Sequence, residues 1–277
     1  MVAATGFGLR SWPDGFVTLS AGYTAEYYVR GSGEPLVVVP GLAGGTGILE
    51  PLVEALSQDF QVVSFELRGE TSQICDRDYH FDRLTRDLLE FIEGLRLERP
   101  GILGLSFGGA ITLDFASRWP HRLSFAAVQG AGPSHRVGAF AGVARRVLDR
   151  LLLPDNNPFV NQFFRLLVGN GGADSGAIDF VVEQCWRTDQ SVMAHRFALL
   201  DEYDVTHKLE RLRLPVLALT GESDVLACPS SLRAFESLAP DVESHVLAGA
   251  GHFAFVTHAK QVAQAVVDFR RGVLAKV

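Results

Sequence analysis

The stretch Gly101-Ile102-Leu103-Gly104-Leu105-Ser106-Phe107-Gly108-Gly109-Ala110-Ile111-Thr112 decides the fold. Ile102 to Leu105 is a short apolar run that suits a buried strand, and Gly108 to Trp119 reads as a helix closed by Pro120. Between them, Gly104 to Gly108 fits G-x-S-x-G, so Ser106 falls on the turn from strand to helix. A sharp turn there brings the two backbones close together, which demands small flanking residues and holds the serine strained with its hydroxyl exposed. The helix N-terminus adds N–H groups and partial positive charge beside that hydroxyl. Taken alone, the pentapeptide is equally a Gly-rich turn with an incidental serine; its place between strand and helix favours a nucleophile.

Outward from this segment, strands and helices alternate. Phe16 to Ser20 and Tyr23 to Val29 flank Ala21-Gly22 as a hairpin. Leu36 to Val39 is continuously apolar, as expected of a strand buried on both faces, and a helix follows from Ile48 to Leu56. Gln61 to Phe65 is the next strand. Phe81, Leu84, Leu88, Phe91, Ile92 and Leu95 then lie on one face of a helix. After the strand Leu123 to Val128 the alternation stops: Ser134 to Thr206 holds amphipathic stretches and no convincing strand, broken by loops at Pro154 to Pro158 and Gly169 to Gly172. It resumes with strands Pro215 to Thr220 and Glu243 to Leu247 and helices Ser230 to Leu238 and His258 to Arg271. The pattern predicts an α/β fold, a mostly parallel central sheet with helices on both faces, formed by residues 1–133 and 207–277 and interrupted by a helical insertion over 134–206.

Composition narrows the function. Twenty-five Lys and Arg against 32 Asp and Glu give a net charge of −7, and no basic run is long enough to follow a phosphate backbone, so nucleic acid is not an expected partner. Cys75, Cys185 and Cys228 show neither a disulfide framework nor zinc-ligand spacing; no metal is expected, and a reducing cytosol is the expected compartment. Neither a signal peptide nor a membrane span is evident.

A serine hydroxyl needs a base, usually a histidine oriented by a buried carboxylate. Of eight histidines, His252 in Gly249-Ala250-Gly251-His252-Phe253 follows the last strand, on the same sheet edge as Ser106; the other seven suit surface or capping roles better. Asp224, in Gly221-Glu222-Ser223-Asp224, follows the strand ending at Thr220, with Glu222 a competing carboxylate that spacing does not exclude. Acyl transfer also needs two N–H donors for the developing oxyanion. The amide of Phe107 is one; the amide of Leu42, in Pro40-Gly41-Leu42-Ala43-Gly44-Gly45, is the expected other. That segment lacks the Lys-Ser/Thr ending of a phosphate loop and does not make G-x-G-x-x-G.

With these motifs, joined by Glu66-Leu67-Arg68-Gly69, the chain resembles the α/β-hydrolase family over nearly its whole length. The resemblance is to cap-bearing members, which include small esterases, enol-lactonases, C–C bond hydrolases and cofactor-free haloperoxidases. It implies that residues 134–206 form a cap that governs substrate choice without supplying a catalytic group, with Gly41, Phe163, Trp186 and Phe253 as substrate-binding candidates. Two segments depart from many relatives: Pro40-Gly41 stands where His-Gly is frequent, and Glu66-Leu67-Arg68-Gly69-Glu70-Thr71-Ser72 where Asp-x-Arg-Gly-x-Gly-x-Ser is frequent. Serine at the turn, where epoxide hydrolases and dehalogenases of this kind carry aspartate, points to acyl chemistry. The leading expectation is a cofactor-free serine hydrolase of a small to medium ester or lactone, with Ser106, His252 and Asp224 as nucleophile, base and orienting acid. The rivals are a C–C hydrolase or lyase using the same residues, and a ligand receptor with little turnover.

Overall fold

Strands whose two faces are both buried need apolar side chains at every position, and the central strands here meet that demand. The computed structural model describes residues 12–70, 80–135, 142–143, 146–148, 151, 153–154, 156–169, 175–210, 212–238 and 241–275. Cys75, Asp155 and residues 170–172, singled out in the sequence, lie outside these. Within them run β1 (Gly15–Thr18), β2 (Thr24–Arg30), β3 (Pro35–Val39), α1 (Glu50–Leu56), β4 (Gln61–Phe65), α2 (Phe81–Gly94), β5 (Gly101–Leu105), α3 (Phe107–Arg118) and β6 (Ala126–Gln129). Then come α4 (Pro158–Val168), α5 (Ser175–Cys185), α6 (Gln190–Leu200), α7 (Thr206–Leu209), β7 (Val216–Gly221), α8 (Pro229–Leu238), β8 (Val242–Leu247), α9 (Ala254–Thr257) and α10 (Ala259–Leu274).

The eight strands form one sheet in the order β1-β2-β4-β3-β5-β6-β7-β8. β2 is antiparallel to both its neighbours, while β4, β3, β5, β6, β7 and β8 pair in parallel. Side chains alternate across the sheet: Leu36 and Val38 enter one core with Leu103, Leu105, Leu217 and Leu219, whereas Val37 and Val39 enter the other with Ile102, Val128 and Val216. The chain goes from β3 to one side and from β5 to the other, so the crevice between their carboxyl ends is a topological switch point, where ligands of open α/β sheets bind.

Among the boundaries that differ from the sequence reading, two have a local cause. β6 begins at Ala126 rather than Leu123, because Pro120–Arg122 forms a 3-10 turn that Leu123 closes by donating its amide to the Pro120 carbonyl. The last helix is preceded by the separate short α9, and the break falls at His258, with φ −127° and ψ 33°.

The helical stretch between β6 and β7 is tied together at its two ends. Ser134 and Asp204 form an isolated antiparallel bridge, and the Val205 amide donates to the Pro133 carbonyl at 2.8 Å. Asn157 caps α4 by accepting from the Phe159 and Val160 amides, with Pro158 in the first helical turn. Phe163, Phe164, Leu167, Met193 and Phe197 of α4 and α6 join the same core as Leu103 and Leu105, while Leu199 and Leu200 of α6 join the core on the other face. α6 is therefore buried on more than one side, unlike a surface helix.

Candidate active site

Ser106 links β5 to α3 with φ 51° and ψ −114°, a combination that L-residues rarely adopt. The glycines around it are dictated by close approach. A Cβ on Gly108 would lie 2.3 Å from both the Val39 and the Pro40 carbonyl oxygens, and one on Gly104 would lie 2.4 Å from the Gly108 oxygen. The elbow thus packs α3 against the end of β3 with no room for a side chain, and turns the serine hydroxyl outward.

His252 meets it from the loop after β8. Its Nε2 is 2.8 Å from Ser106 Oγ, and its Nδ1 lies 2.9 and 3.0 Å from the two Asp224 carboxylate oxygens. His252 and Asp224 are both buried, and the Asp224 carboxylate also accepts from the amides of Leu226 and Ala227 at 2.8 and 2.9 Å. Burial alone would raise the Asp224 carboxyl, but the facing His252 ring and these amides outweigh it and hold the group below the usual carboxylate range. An ionised Asp224 fixes the proton of His252 on Nδ1, which leaves Nε2 to accept the Ser106 hydroxyl proton. Glu222, the competing carboxylate, is exposed and takes a different partner: it accepts from the Gly249 amide at 2.9 Å.

The His252 main chain is fixed at both ends. Its amide donates to the Leu167 carbonyl at the end of α4 at 2.7 Å, and its carbonyl accepts from the buried Gln129 side chain at 3.2 Å. Gln129 escaped the sequence reading; its only signal was an amide closing an otherwise apolar strand.

Ser106 and His252 open into a cavity of about 60 Å³ whose wall includes Gly41, Leu42, Phe163, Phe197 and Phe253. Of the substrate-binding candidates, Gly41, Phe163 and Phe253 are there. Trp186 is not: its indole N–H donates to Asn161 at 2.7 Å and its ring meets Phe164 edge-on, so it ties α5 to α4 within the insertion. Cys185 lines the cavity as a neutral wall, since burial pushes its thiol far up. Cys228 is exposed. His252 also borders a second cavity of about 620 Å³, lined by Gly130, Pro133, His135 and Cys228 among others. Burial, and then the neighbouring His252, push His135 below its usual value. Among the described residues no group of three or more His, Cys, Asp and Glu is placed to hold a metal ion, and no helix is long and apolar enough to cross a membrane.

A family model for the alpha/beta hydrolase fold matches residues 34–259. The chain belongs to the α/β-hydrolase fold family. Among its relatives, a pimeloyl-[acyl-carrier protein] methyl ester esterase of Xanthomonas oryzae pv. oryzae is 26% identical over 251 residues, covering 87% of this hydrolase and 96% of the relative. A thermophilic esterase from Thermogutta terrifontis, solved with malate bound, is similar in fold with a TM-score of 0.82 at 22% identity, over 93% of this chain and 98% of its own. The enol-lactonase from Burkholderia xenovorans LB400 reaches 0.79 at 21% identity, over 92% and 99%.

In the Glu66-Leu67-Arg68-Gly69 segment, the arginine and the glycine of the pattern noted in the sequence are kept and glutamate stands at its first position. Arg68 turns into the body, paired with Asp87 at 2.9 Å and lying over the Tyr23 ring. Glu66 accepts from the Thr46 amide at 3.0 Å and from its hydroxyl. Burial first, and then the charge of Glu70, push the Glu66 carboxyl up to about 7, against the pull of Thr46 and Arg196. An unfolded chain ionises this group in the usual carboxylate range, so its contribution to stability is complete below that range and is lost as pH rises through 7. Between pH 5 and pH 8 the parent should therefore lose more Tm than Glu66→Gln, which keeps an acceptor for Thr46 and cannot ionise. Equal losses in a thermal melt of the two proteins contradict the assignment.

Proposed function

We propose that this chain is a serine hydrolase that cleaves uncharged carboxylic esters with compact acyl groups through an acyl-enzyme. The observation that supports this reading most is the unbroken hydrogen-bonded series from Ser106 through His252 to Asp224, opening on a small apolar cavity. Ser106 Oγ attacks the ester carbonyl carbon as its proton passes to His252 Nε2. The carbonyl oxygen becomes an oxyanion that the amides of Leu42 and Phe107 hold; Phe107 opens α3, where no preceding turn supplies an acceptor for its N–H. Collapse expels the alcohol, which takes the proton from His252. Water then attacks the acyl-enzyme as its proton passes to His252, and collapse breaks the bond from the acyl carbon to Ser106 Oγ, which takes that proton back as the acid leaves. No metal or organic cofactor enters this sequence.

The two cavities divide the substrate. The leaving alcohol must sit at His252 to be protonated, and the roomier cavity that borders His252 offers it space. The acyl group goes to the tighter one, whose wall among the described residues holds no Lys, Arg, Asp or Glu to pair with a charged acyl chain. The insertion over residues 134–206 acts as the cap that shapes this wall, chiefly through Phe163.

A panel of p-nitrophenyl esters from acetyl to decanoyl, with the acid product identified, tests this. Were the cavity open-ended, each methylene buried would add about 0.8 kcal/mol and favour longer chains. Instead kcat/KM should peak at two to four carbons and fall at least about tenfold by eight, and Phe163→Ala should move the peak to longer chains. A steady rise with length in the parent, or release of the acid from none of the esters, contradicts the proposal. The orienting role is tested separately: Asp224→Asn should lower kcat by roughly 10³–10⁴-fold because an amide stabilises the wrong imidazole tautomer, whereas Glu222→Gln should stay within about threefold. The reverse ranking assigns the role to Glu222.

A further inference from the structure

The loop after β3 is pinned at alternate residues by side chains that arrive from elsewhere. The Leu42 carbonyl accepts from Arg196 Nη1 at 2.9 Å, the Gly44 amide donates to Thr188 Oγ1 at 2.8 Å, and the Thr46 amide donates to Glu66. Two of the three anchors, Arg196 and Thr188, belong to the helical insertion. Glu70 ties them to each other: one carboxylate oxygen is paired with Arg196 and the other accepts from the Thr188 hydroxyl at 2.8 Å. Arg196 Nη2 donates to the Arg68 carbonyl at 3.0 Å, and its guanidinium lies 5.9 Å from the centre of the Phe107 ring. Arg196 is completely buried, so these fixed groups take the place of water around its charge.

Resting on the hydrolase reading above, we propose that Arg196, linked by Glu70 to Thr188, is a positioning residue that holds the two arms of the oxyanion hole in register and makes the hole depend on the docked insertion. The argument is geometric. The amide of Leu42 is one bond away from the Cα whose carbonyl Arg196 holds, and Phe107, which supplies the other amide, packs beneath the same guanidinium. An oxyanion donor works only when it is fixed where the charge will develop, and a shift of a fraction of an ångström forfeits most of its effect. Arg196 therefore contributes to turnover without touching the substrate, which refines the expectation that the insertion only selects it. Lysine at this position keeps one charge for Glu70 but cannot fork to the Leu42 and Arg68 carbonyls.

The test compares the full-length parent with Arg196→Lys and Thr188→Val in two measurements. In hydrogen exchange, the peptide covering residues 40–47 should exchange at least about tenfold faster in both variants, while the one covering Asp224 to Ala227 stays as in the parent. In steady-state hydrolysis of p-nitrophenyl butyrate, kcat should fall about 10- to 100-fold with KM within about threefold, and a trifluoromethyl ketone, whose adduct carries an oxyanion, should bind more weakly by a similar factor. Folded variants that keep parental exchange in residues 40–47 overturn the proposal, as does a rise in KM with kcat unchanged. If Arg196→Lys does not fold, Thr188→Val alone decides, since it removes one hydroxyl and leaves the ion pair. A parent that hydrolyses no ester fails the hydrolase reading, whereas the anchoring of the loop still stands or falls on the exchange data.

Discussion

The backbone of Ser106 is the constraint on which the rest depends. Holding a serine at φ 51° and ψ −114° costs of the order of 1–3 kcal/mol, and it persists only because the surroundings leave no alternative. β5 is locked between β3 and β6, α3 is pressed against the end of β3 with glycine as the only residue that fits, and the Ser106 amide donates to the Gln129 carbonyl at 2.8 Å. The strain has a return in chemistry: it aims a hydroxyl out of the sheet beside the N-terminus of α3 and within reach of a base from a strand three places away along the sheet.

Rigidity at the elbow is matched by a set of loops that would be loose on their own. The loop carrying His252 is held through its amide by the last turn of α4 and through its carbonyl by Gln129, and the loop carrying Leu42 is held by Arg196, Thr188 and Glu66. Each of these two loops thus has one anchor in the sheet or its edge and at least one in the helical stretch between β6 and β7. Glu66 is buried beside Glu70, which pairs with the buried guanidinium of Arg196, and burial first and then the charge of Glu70 raise the Glu66 carboxyl. A cluster of this kind is weak ground for stability and better suited to specifying how two parts of a chain dock.

The sheet was legible because parallel strands buried on both faces read as uninterrupted apolar runs, as in Leu36 to Val39 and Ile102 to Leu105. Ser106, His252 and Asp224 were legible because each follows a different strand on one edge, and topology alone brings such positions together. What escaped was settled by side-chain direction. Trp186 looked like a pocket aromatic, but its indole N–H turns to Asn161. Arg196 sits in an apolar stretch of α6 with no motif around it, and its partners Leu42, Arg68 and Glu70 lie 126 to 154 residues away along the chain. The departure at Glu66 to Glu70 was visible, yet nothing local indicates that these carboxylates turn toward the loop after β3.

The central claim is that a strained serine forms a covalent acyl intermediate, and a trapped adduct tests it most directly. The protein would be treated with a fluorophosphonate, and separately acid-quenched during turnover of p-nitrophenyl butyrate, with intact mass and peptide mapping on parent and Ser106→Ala. The account predicts one phosphonyl and one butyryl adduct per chain, both on the peptide containing Ser106 and both absent from Ser106→Ala. Turnover of the ester by Ser106→Ala at the parental rate, or adducts that map to another residue, would contradict it.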